Sequence, residues 1–198
     1  MTRLLLASRS ETRHAMLAAA GVGFKAVDSD LDEEEAKSGL LDAGFAPRDL
    51  AEMLAEMKAR GVAAPADALV LGADQVLELE NGDMLSKPGS RAEAAEQLRL
   101  LSNSTHFLHA AAVLIEDGER IWGQYETVAL KVRALSDAFI TAYLDAEYEA
   151  VRWNVGAYRI EGRGAQLFEE IHGSHFAILG LPLLPLLEFL RFRRLIAS

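Results

Sequence analysis

The stretch LLLASRSETR, residues 4–13, runs from a short apolar segment directly into hydroxyl and arginine side chains. Its first four residues predict a buried strand, and the apolar residues Met16, Leu17 and Ala20 predict a helix that follows at once and stops near Gly21. The first turn of a helix carries unsatisfied backbone N–H groups and the positive end of the helix dipole. This strand–helix junction therefore suits an anion such as phosphate.

Four side chains at the junction allow two interpretations. Ser8 and Ser10 could add hydroxyl donors to an anion site, and Arg9 and Arg13 could add planar, charged donors. Alternatively, a serine caps the helix and the arginines are solvated, because serine is a preferred N-cap in any helix. The junction alone favours neither interpretation.

The composition is that of an ordinary globular protein. A length of 198 residues, with 51% hydrophobic and 25% charged residues, predicts one domain over residues 1–198. The formal charge of −10 argues against a general nucleic-acid binder. No apolar run approaches the roughly 20 residues that cross a bilayer, so no membrane partner is expected. An anionic substrate would have to meet a local cluster of lysine and arginine side chains.

Several classes of chemistry are excluded by missing residues and patterns. The chain has no cysteine, which rules out disulfides, thiolate metal sites and a cysteine nucleophile. It has no P-loop pattern, no dinucleotide-binding fingerprint and no Gly-x-Ser-x-Gly elbow. Because the N-terminal apolar run is too short for the core of a signal peptide, a cytoplasmic location is expected.

Helical and extended patterns alternate in the first half. Pro47 and the apolar spacing after it predict a helix that carries Lys58, whereas residues 34–46 are predicted to form a loop with a turn or two of helix. The apolar run Ala68–Ala73 is typical of a strand buried on both faces, with Asp74 at its carboxyl end.

A tight turn and longer elements follow. The pair Asn81-Gly82 predicts a hairpin turn. The predicted elements are the hairpin strands Val76–Glu80 and Asp83–Leu85, a helix over Ala92–Leu101, strands over Thr105–Ile115 and Ile121–Val132, a helix capped by Ser136 that runs to about Leu144, and a helix over Leu183–Phe192. This alternation predicts an α/β fold: a single domain around a mixed, strongly twisted sheet with flanking helices.

Charged residues at predicted strand ends and loops are candidates for chemistry. Asp74 could ligate a divalent metal or accept a proton from water, and Lys87, fixed beside Pro88, could hold a phosphate. The carboxylates of Asp30, Asp32 and Glu33 could complete a metal site with Asp74, because hard cations prefer oxygen ligands. Each feature alone is also compatible with a turn, a cap or a solvated loop.

Taken in order along the chain, these segments resemble the Maf family of nucleoside triphosphate pyrophosphatases from Leu4 to about Leu190. The segments that carry the resemblance are Ser8-Arg9-Ser10-Glu11-Thr12-Arg13, Ser29-Asp30-Leu31-Asp32-Glu33, Ala55-Glu56-Met57-Lys58-Ala59, Gly72-Ala73-Asp74-Gln75, Leu85-Ser86-Lys87-Pro88, Gly156–Gly164 and Gly180-Leu181-Pro182. Glu11 departs from the family's usual proline, and Ser86 from its usual glycine. A carboxylate at position 11 would weaken triphosphate binding unless it points to solvent.

The resemblance implies an inosine triphosphatase-like fold and an activity in nucleotide-pool sanitation. A nucleoside triphosphate would be cleaved between its α- and β-phosphates, with Mg²⁺ or Mn²⁺ as cofactor, to a monophosphate and pyrophosphate. The implied roles are phosphate binding and charge neutralisation by Arg13, Lys58 and Lys87, completion of the phosphate cradle by Ser8 and Ser10, proton acceptance or metal binding by Asp74, and metal or water binding by Glu33. Family analogy also favours a homodimer.

Three positions are expected to select the base: Thr12, Gln75 and Glu161. The branch of the family that acts on 7-methyl-GTP usually carries Trp, Gln and Glu there, and the branch that acts on dTTP and UTP carries Arg, Thr and Gln. Two of the three positions match the first branch. A carboxylate at Glu161 can accept both donors of a guanine edge, whereas Thr12 removes an aromatic partner for a methylated, cationic base.

Three alternatives stay open at this stage. The substrate could be dTTP or UTP, the chain could be a nucleotide-binding regulator of septum formation with vestigial hydrolysis, or it could be a scaffold that has lost the chemistry. The retention of Arg13, Lys58, Asp74 and Lys87 favours catalysis.

Overall fold

The computed structural model describes residues 3–197. The strands are β1 (Arg3–Ala7), β2 (Lys25–Val27), β3 (Ala68–Leu79), β4 (Met84–Leu85), β5 (Thr105–Glu116), β6 (Glu119–Val132) and β7 (Phe168–His172). The helices are α1 (Glu11–Ala19), α2 (Glu33–Asp42), α3 (Pro47–Arg60), α4 (Arg91–Leu101), α5 (Asp137–Val151), α6 (His175–Ile178) and α7 (Leu183–Phe192), with two 3₁₀ turns at Val155–Ala157 and Arg163–Leu167.

Over the described residues the strands form one seven-stranded sheet. Its order is β2-β1-β3-β5-β6-β7, and β4 pairs with β3. Strand β1 is parallel to both β2 and β3, whereas β3 with β4 and β6 with β7 are antiparallel. The predicted α/β class with a mixed sheet is therefore confirmed.

The chain divides into two compact units. The first runs to Gln75 and includes His109–Glu126 and the residues from Ser174 on; the second comprises Val76–Leu108 and Thr127–Gly173. The prediction of one domain over residues 1–198 stays a prediction. No helix within residues 3–197 has the length and apolar character that a membrane crossing needs.

The core of the first unit is built on β1 and its neighbours. Apolar side chains of β1 and β3 pack with those of α1 and α7, and burial of such side chains is the main driving force for folding. The fully or almost fully buried members are Leu4, Leu6, Met16, Leu17, Val22, Leu69, Leu71, Ala73, Ala112, Leu114, Leu181, Leu183, Leu186 and Leu190. This core holds the β1–α1 junction in place.

The predicted loop after residue 33 is wrong, because Glu33–Asp42 forms the ten-residue helix α2. The Asp32 side chain caps it by accepting hydrogen bonds from the backbone N–H groups of Glu34 and Glu35. Three glutamates in the first turn also complement the helix dipole. Apolar periodicity gave no signal for α2, since the helix has no buried residue.

The position predicted for Asp74 also needs correction. The apolar run and the first hairpin strand are one continuous strand, β3, of 12 residues, so Asp74 lies inside a strand and not at its end. Burial along β3 changes at Asp74 and Gln75, which are half-buried between fully buried neighbours. The predicted hairpin itself is confirmed, because Leu77 pairs with Leu85 in β4.

The long antiparallel strands of the second half are confirmed as β5 and β6. Their turn residues Asp117 and Gly118 have φ angles of 51° and 80°, the pair of positive values that a tight hairpin turn requires. Ser136 caps α5 as predicted, accepting from the Phe139 N–H, but the helix continues to Val151 and not to Leu144. Sequence patterns did not predict β7 or α6.

A buried histidine gives the second unit an acid-sensitive element. His106 in β5 is fully buried, and its Nε2 lies 2.8 Å from the Tyr158 hydroxyl. Burial lowers the pKa of His106 to about 4. The unfolded chain binds a proton near pH 6.5 and the folded chain does not, so stability falls as the pH drops from about 6.5 to 4.

We expect His106→Gln to remove this part of the acid sensitivity. The free energy of unfolding of the wild type should lose about 3 kcal/mol more than that of the variant between pH 7 and pH 4. Urea unfolding of both proteins at several pH values measures the difference, because the remaining titratable groups are common to both. Parallel pH profiles would contradict a neutral buried His106.

Candidate active site

The β1–α1 junction combines a helix cap with a row of hydroxyl groups. Ser10 is the N-cap of α1, and its Oγ accepts a hydrogen bond from the Arg13 backbone N–H at 3.3 Å. Ser8 follows β1, and its Oγ accepts from the Ser10 N–H at 3.2 Å. The capping interpretation of Ser10 is therefore confirmed, while an anion at this helix N-terminus stays a prediction. Glu11 is exposed on the first turn.

The two arginines of the junction have different environments. Arg9 is exposed, whereas Arg13 is only 9% exposed. The Arg13 Nε donates to the backbone oxygen of Gly180 at 2.8 Å, and its Nη1 donates to Ser8 Oγ at 3.4 Å. Burial lowers the pKa of Arg13, and the carboxylates of Asp74 and Glu33 act in the opposite direction. The alternative of a solvated arginine is therefore wrong for Arg13.

A buried lysine joins two of the predicted carboxylates. Lys58, in the last turn of α3, is 6% exposed. Its Nζ lies 2.5 Å from Asp74 Oδ1 on β3 and 3.0 Å from Glu33 Oε2 on α2. An ammonium group buried without partners would be strongly destabilising, so the two carboxylates are a condition for its burial. Three elements of the first unit therefore meet at one charged cluster.

Close packing of α3 on β3 makes this contact possible. Gly72 lies two residues before Asp74, and a Cβ atom there would overlap the Ala55 carbonyl oxygen and approach the Ala59 backbone nitrogen to 2.9 Å. Ala55 and Ala59 lie three residues before and one residue after Lys58 on α3. A residue with any side chain at position 72 would force α3 and β3 apart.

Two predicted specificity residues of the first unit are chain neighbours of Arg13 and Asp74. Thr12 is half-buried on the first turn of α1. The Gln75 amide nitrogen donates to the backbone oxygens of Ala177 at 2.7 Å and Ile178 at 3.0 Å. Both of its N–H donors are thus committed to α6, and the carbonyl oxygen is the group of Gln75 that suits a ligand.

Lys87 and Glu161 belong to the second unit. Lys87 is exposed directly after β4, and Pro88 beside it is buried. The backbone oxygen of Ser86 accepts from Gln97 Nε2 at 2.8 Å, which ties this segment to α4. The role of Lys87 in phosphate binding stays a prediction.

Glu161 is exposed in the segment between the two 3₁₀ turns. Glu147 on α5 holds this segment from both sides, since its carboxylate lies 3.4 Å from Arg159 Nη2 and 3.7 Å from Arg163 Nε. The Glu161 carboxylate is thus presented at the surface of the second unit by an anchored turn. Its role in base selection stays a prediction.

The residues of the first unit fit a divalent cation as a partial ligand set. Asp74 and Glu33 bring carboxylate oxygens to within hydrogen-bonding distance of one positive centre, Lys58 Nζ. Mg²⁺ is commonly bound by one or two carboxylates together with substrate phosphates and water. No cluster of three or more histidine, cysteine, aspartate or glutamate side chains that could hold a metal ion occurs among the described residues.

The fold and this cluster define an α/β protein in which buried cations and carboxylates meet beside a helix N-terminus. The family model described as "Maf-like protein" matches residues 3–192. The chain belongs to this Maf-like family.

Curated relatives cover nearly the whole chain. One from Caulobacter vibrioides, named "Nucleoside triphosphate pyrophosphatase", is 47% identical over 96% of this chain and 96% of its own length. Another from Jannaschia sp., named "Nucleoside triphosphate pyrophosphatase 1", is 43% identical over 100% of both chains. A solved HAM1 protein from Coxiella burnetii aligns at 15% identity with a TM-score of 0.42, covering 67% of this chain and 73% of that one.

Two residues with a part in this geometry were not identified as functional from the sequence. Gly72 and Gly180 stand in motifs that carry the family resemblance, but their residue type alone indicates a strand glycine and a turn. Gly180 contacts Arg13 across 167 positions of the chain, and no local pattern can reveal such a contact. A glycine inside an otherwise apolar strand was the available signal for Gly72.

We expect Gly72→Ala to damage activity more than its loss of stability explains. Overpacking should cost about 1–3 kcal/mol of unfolding free energy, and the displaced α3 should carry Lys58 away from Asp74. Chemical denaturation and kcat measure the two effects. Gly23→Ala is the control, because a Cβ there has nothing within 4 Å. Wild-type kcat in a folded Gly72→Ala protein would contradict this packing requirement.

Proposed function

We propose that this protein hydrolyses the bond between the α- and β-phosphates of a nucleoside triphosphate, and that its preferred substrate is 7-methyl-GTP or a related purine nucleotide. The assignment to the nucleoside triphosphate pyrophosphatases rests on relatives that are more than 40% identical over nearly the whole chain. The chain is a nucleoside triphosphate pyrophosphatase of the Maf family and hence a hydrolase. The choice of base, the metal and the roles of individual residues are parts of the proposal.

One observation carries the proposed chemistry: Lys58 is buried between Asp74 and Glu33 in the unit that also buries Arg13. Phosphoryl transfer depends mostly on positioning and on stabilising charge, and little covalent chemistry is asked of the protein. Fixed cations in a poorly solvated site stabilise developing negative charge more strongly than the same groups in water. A buried lysine and arginine are suited to that role.

The residues can be given separate tasks. A water molecule attacks the α-phosphorus, the bond to the bridging oxygen breaks, and pyrophosphate leaves with the bonding electrons. Asp74 accepts the proton of the attacking water, Arg13 and Lys58 neutralise the charge that develops on the leaving pyrophosphate, and Ser8 Oγ lies beside Arg13 as a further hydroxyl donor. Lys87 is proposed to bind phosphate in the same reaction.

Asp74 and Glu33 are the residues that would hold Mg²⁺ or Mn²⁺. A bound divalent cation supplies charge neutralisation of the phosphate oxygens. Both carboxylates already face one positive centre, the ammonium group of Lys58. A divalent cation bound there would meet the same two negative charges.

The proposed purine preference rests on the acceptor groups. The Glu161 carboxylate has only acceptors, and Gln75 has both amide donors engaged by α6, so each residue offers oxygen to a ligand. A guanine Watson–Crick edge presents two adjacent donors that such acceptors can bind. Uracil and thymine present a mixed edge, which suits an amide better than a carboxylate.

Pyrophosphate release with Mg²⁺ or Mn²⁺ should be measured for 7-methyl-GTP, GTP, dTTP, UTP and pseudouridine triphosphate. We expect the highest kcat/KM for a guanine nucleotide, and we expect Glu161→Gln to reduce the preference by about 10-fold or more, because one bidentate contact is worth roughly 1–3 kcal/mol. Glu169→Gln, at an exposed glutamate of β7, is the control. A wild-type preference for dTTP and UTP would refute the role of Glu161.

The roles of Asp74 and Glu33 can be separated by metal titration. Asp74→Asn keeps the shape of the side chain and an oxygen for Lys58, but it removes the proton acceptor, so kcat should fall about 10²–10⁴-fold at every metal concentration. Glu33→Gln should instead raise the Mg²⁺ concentration for half-maximal rate, with kcat largely restored at saturation.

Asp49→Asn makes the same chemical change at an exposed residue of α3 and should leave both parameters unchanged. Thermal unfolding of all variants shows whether they are folded. An active Asp74→Asn protein would mean that another group accepts the proton.

A further inference from the structure

The turn that ends α6, residues 177–180, contacts two of the predicted site residues through backbone oxygens alone. Gly180 O accepts from Arg13 Nε at 2.8 Å, and Ala177 O and Ile178 O accept from Gln75 Nε2 at 2.7 and 3.0 Å. All of these residues belong to the first unit. We refer to residues 177–180 as the acceptor turn.

The acceptor turn has a defined backbone geometry. The Gly180 N–H donates to Ala177 O at 3.0 Å, and the Leu181 N–H donates to Phe176 O at 3.1 Å. This pair of hydrogen bonds, with a left-handed residue between them, is a Schellman motif. Gly180 is the left-handed residue, with a φ of 91°, and this conformation turns its carbonyl oxygen onto Arg13.

Gly180 also leaves room for the arginine. A Cβ atom at position 180 would lie 3.1 Å from Arg13 Nη2 and 3.2 Å from Nε. The guanidinium group therefore rests against the bare α-carbon while its Nε bonds to the same residue's oxygen. A side chain at this position would require the guanidinium group to shift by a few tenths of an ångström.

We infer that Gly180 is a positioning residue for the reaction, which fixes the direction in which Arg13 presents its guanidinium group to phosphate. The catalytic consequence of this inference rests on the proposed function. The contact between Gly180 and Arg13 is observed independently of that function. The neighbouring oxygens of Ala177 and Ile178 fix the Gln75 amide by the same means.

A buried guanidinium needs such a partner for two reasons. Its Nε–H would otherwise be an unsatisfied buried donor, which costs the full desolvation of that group. Its planar set of donors is also useful only in the right plane, because bidentate phosphate binding depends on direction. The bond from Nε to Gly180 O, with the bond from Nη1 to Ser8 Oγ, sets the plane of the guanidinium group before phosphate binds, so binding needs no search over rotamers.

The chain offers a closely matched control at Gly21. It ends α1 in the same Schellman motif: the Gly21 N–H donates to Ala18 O and the Val22 N–H to Leu17 O, each at 3.0 Å. Its φ is 71°, but a Cβ atom there has nothing within 4 Å. Substitutions at positions 21 and 180 therefore share the backbone strain, and they differ in burial and in the contact with Arg13.

The experiment compares Gly180→Ala with Gly21→Ala, and Gly180→Asn with Gly21→Asn. Asparagine tolerates the left-handed conformation, so the second pair is expected to fold even if alanine at position 180 does not. Within each pair we expect a larger decrease of Tm at position 180, because the buried Arg13 Nε–H loses its acceptor there. We expect kcat/KM for the best substrate to fall about 10–100-fold at position 180 and to stay near wild type at position 21.

A second readout does not depend on activity. Hydrogen exchange of the Arg13 Nε–H, assigned by its loss in Arg13→Lys and followed by NMR, should be slow in the wild type and in both Gly21 variants and fast in the Gly180 variants. Slow exchange in a folded Gly180 variant overturns the inference, and so does an equal loss of kcat/KM at positions 21 and 180. If the wild type hydrolyses no nucleoside triphosphate, the proposed function fails, and the exchange rates still decide whether Gly180 positions Arg13.

Discussion

The burial of one ammonium group, that of Lys58, organises the first unit. A charge removed from water costs several kcal/mol unless partners replace the lost hydration. Asp74 and Glu33 supply that replacement at 2.5 and 3.0 Å, and each comes from a different element than the lysine. Strand β3 and the start of α2 must therefore both reach the last turn of α3. The fold satisfies this condition by letting α3 lie almost in contact with the backbone of β3 at Gly72.

The local charge balance explains how an acidic protein can serve an anionic substrate. The chain carries a formal charge of −10, yet the cluster pairs two carboxylates, Asp74 and Glu33, with the two cations Lys58 and Arg13. A balanced cluster neither repels nor strongly attracts a triphosphate. The proposed divalent cation would shift that balance to positive at the moment of binding, so affinity should depend on metal and substrate together. The exposed side chain of Glu11 does not alter this balance inside the unit.

Sequence patterns were informative where function and local structure coincide. Apolar periodicity located β1, α1, α3 and α7, and the position of Lys58 beside the apolar stripe of α3 is consistent with its burial. Sequence patterns were uninformative where tertiary contacts determine the extent of an element or the position of a side chain. Helix α2 has no fully buried residue, so its signals are a cap and an acidic first turn. Asp74 follows an apolar run that looks complete, but the strand continues through Asp74 to the residues that pair with β4, Leu77 and Glu78. The contact of Arg13 with Gly180 could not be inferred from either segment alone.

The two glycines show why precise placement here comes from the backbone and not from the side chains that carry charge. Lysine and arginine have long, flexible stems, and ordering them costs about 2 kcal/mol each in rotamer entropy. Gly72 and Gly180 reduce that cost in different ways. At Gly72 the absence of a side chain lets helix α3 pack close to strand β3. The Lys58 ammonium group therefore reaches Asp74 without a further adjustment of α3. At Gly180 a carbonyl oxygen fixed by a helix terminus holds the arginine near its branching nitrogen, where one bond restricts the entire fork. At both positions an added Cβ atom would crowd the group that packs there, so the constraint falls on residue type at positions that carry no charged side chain.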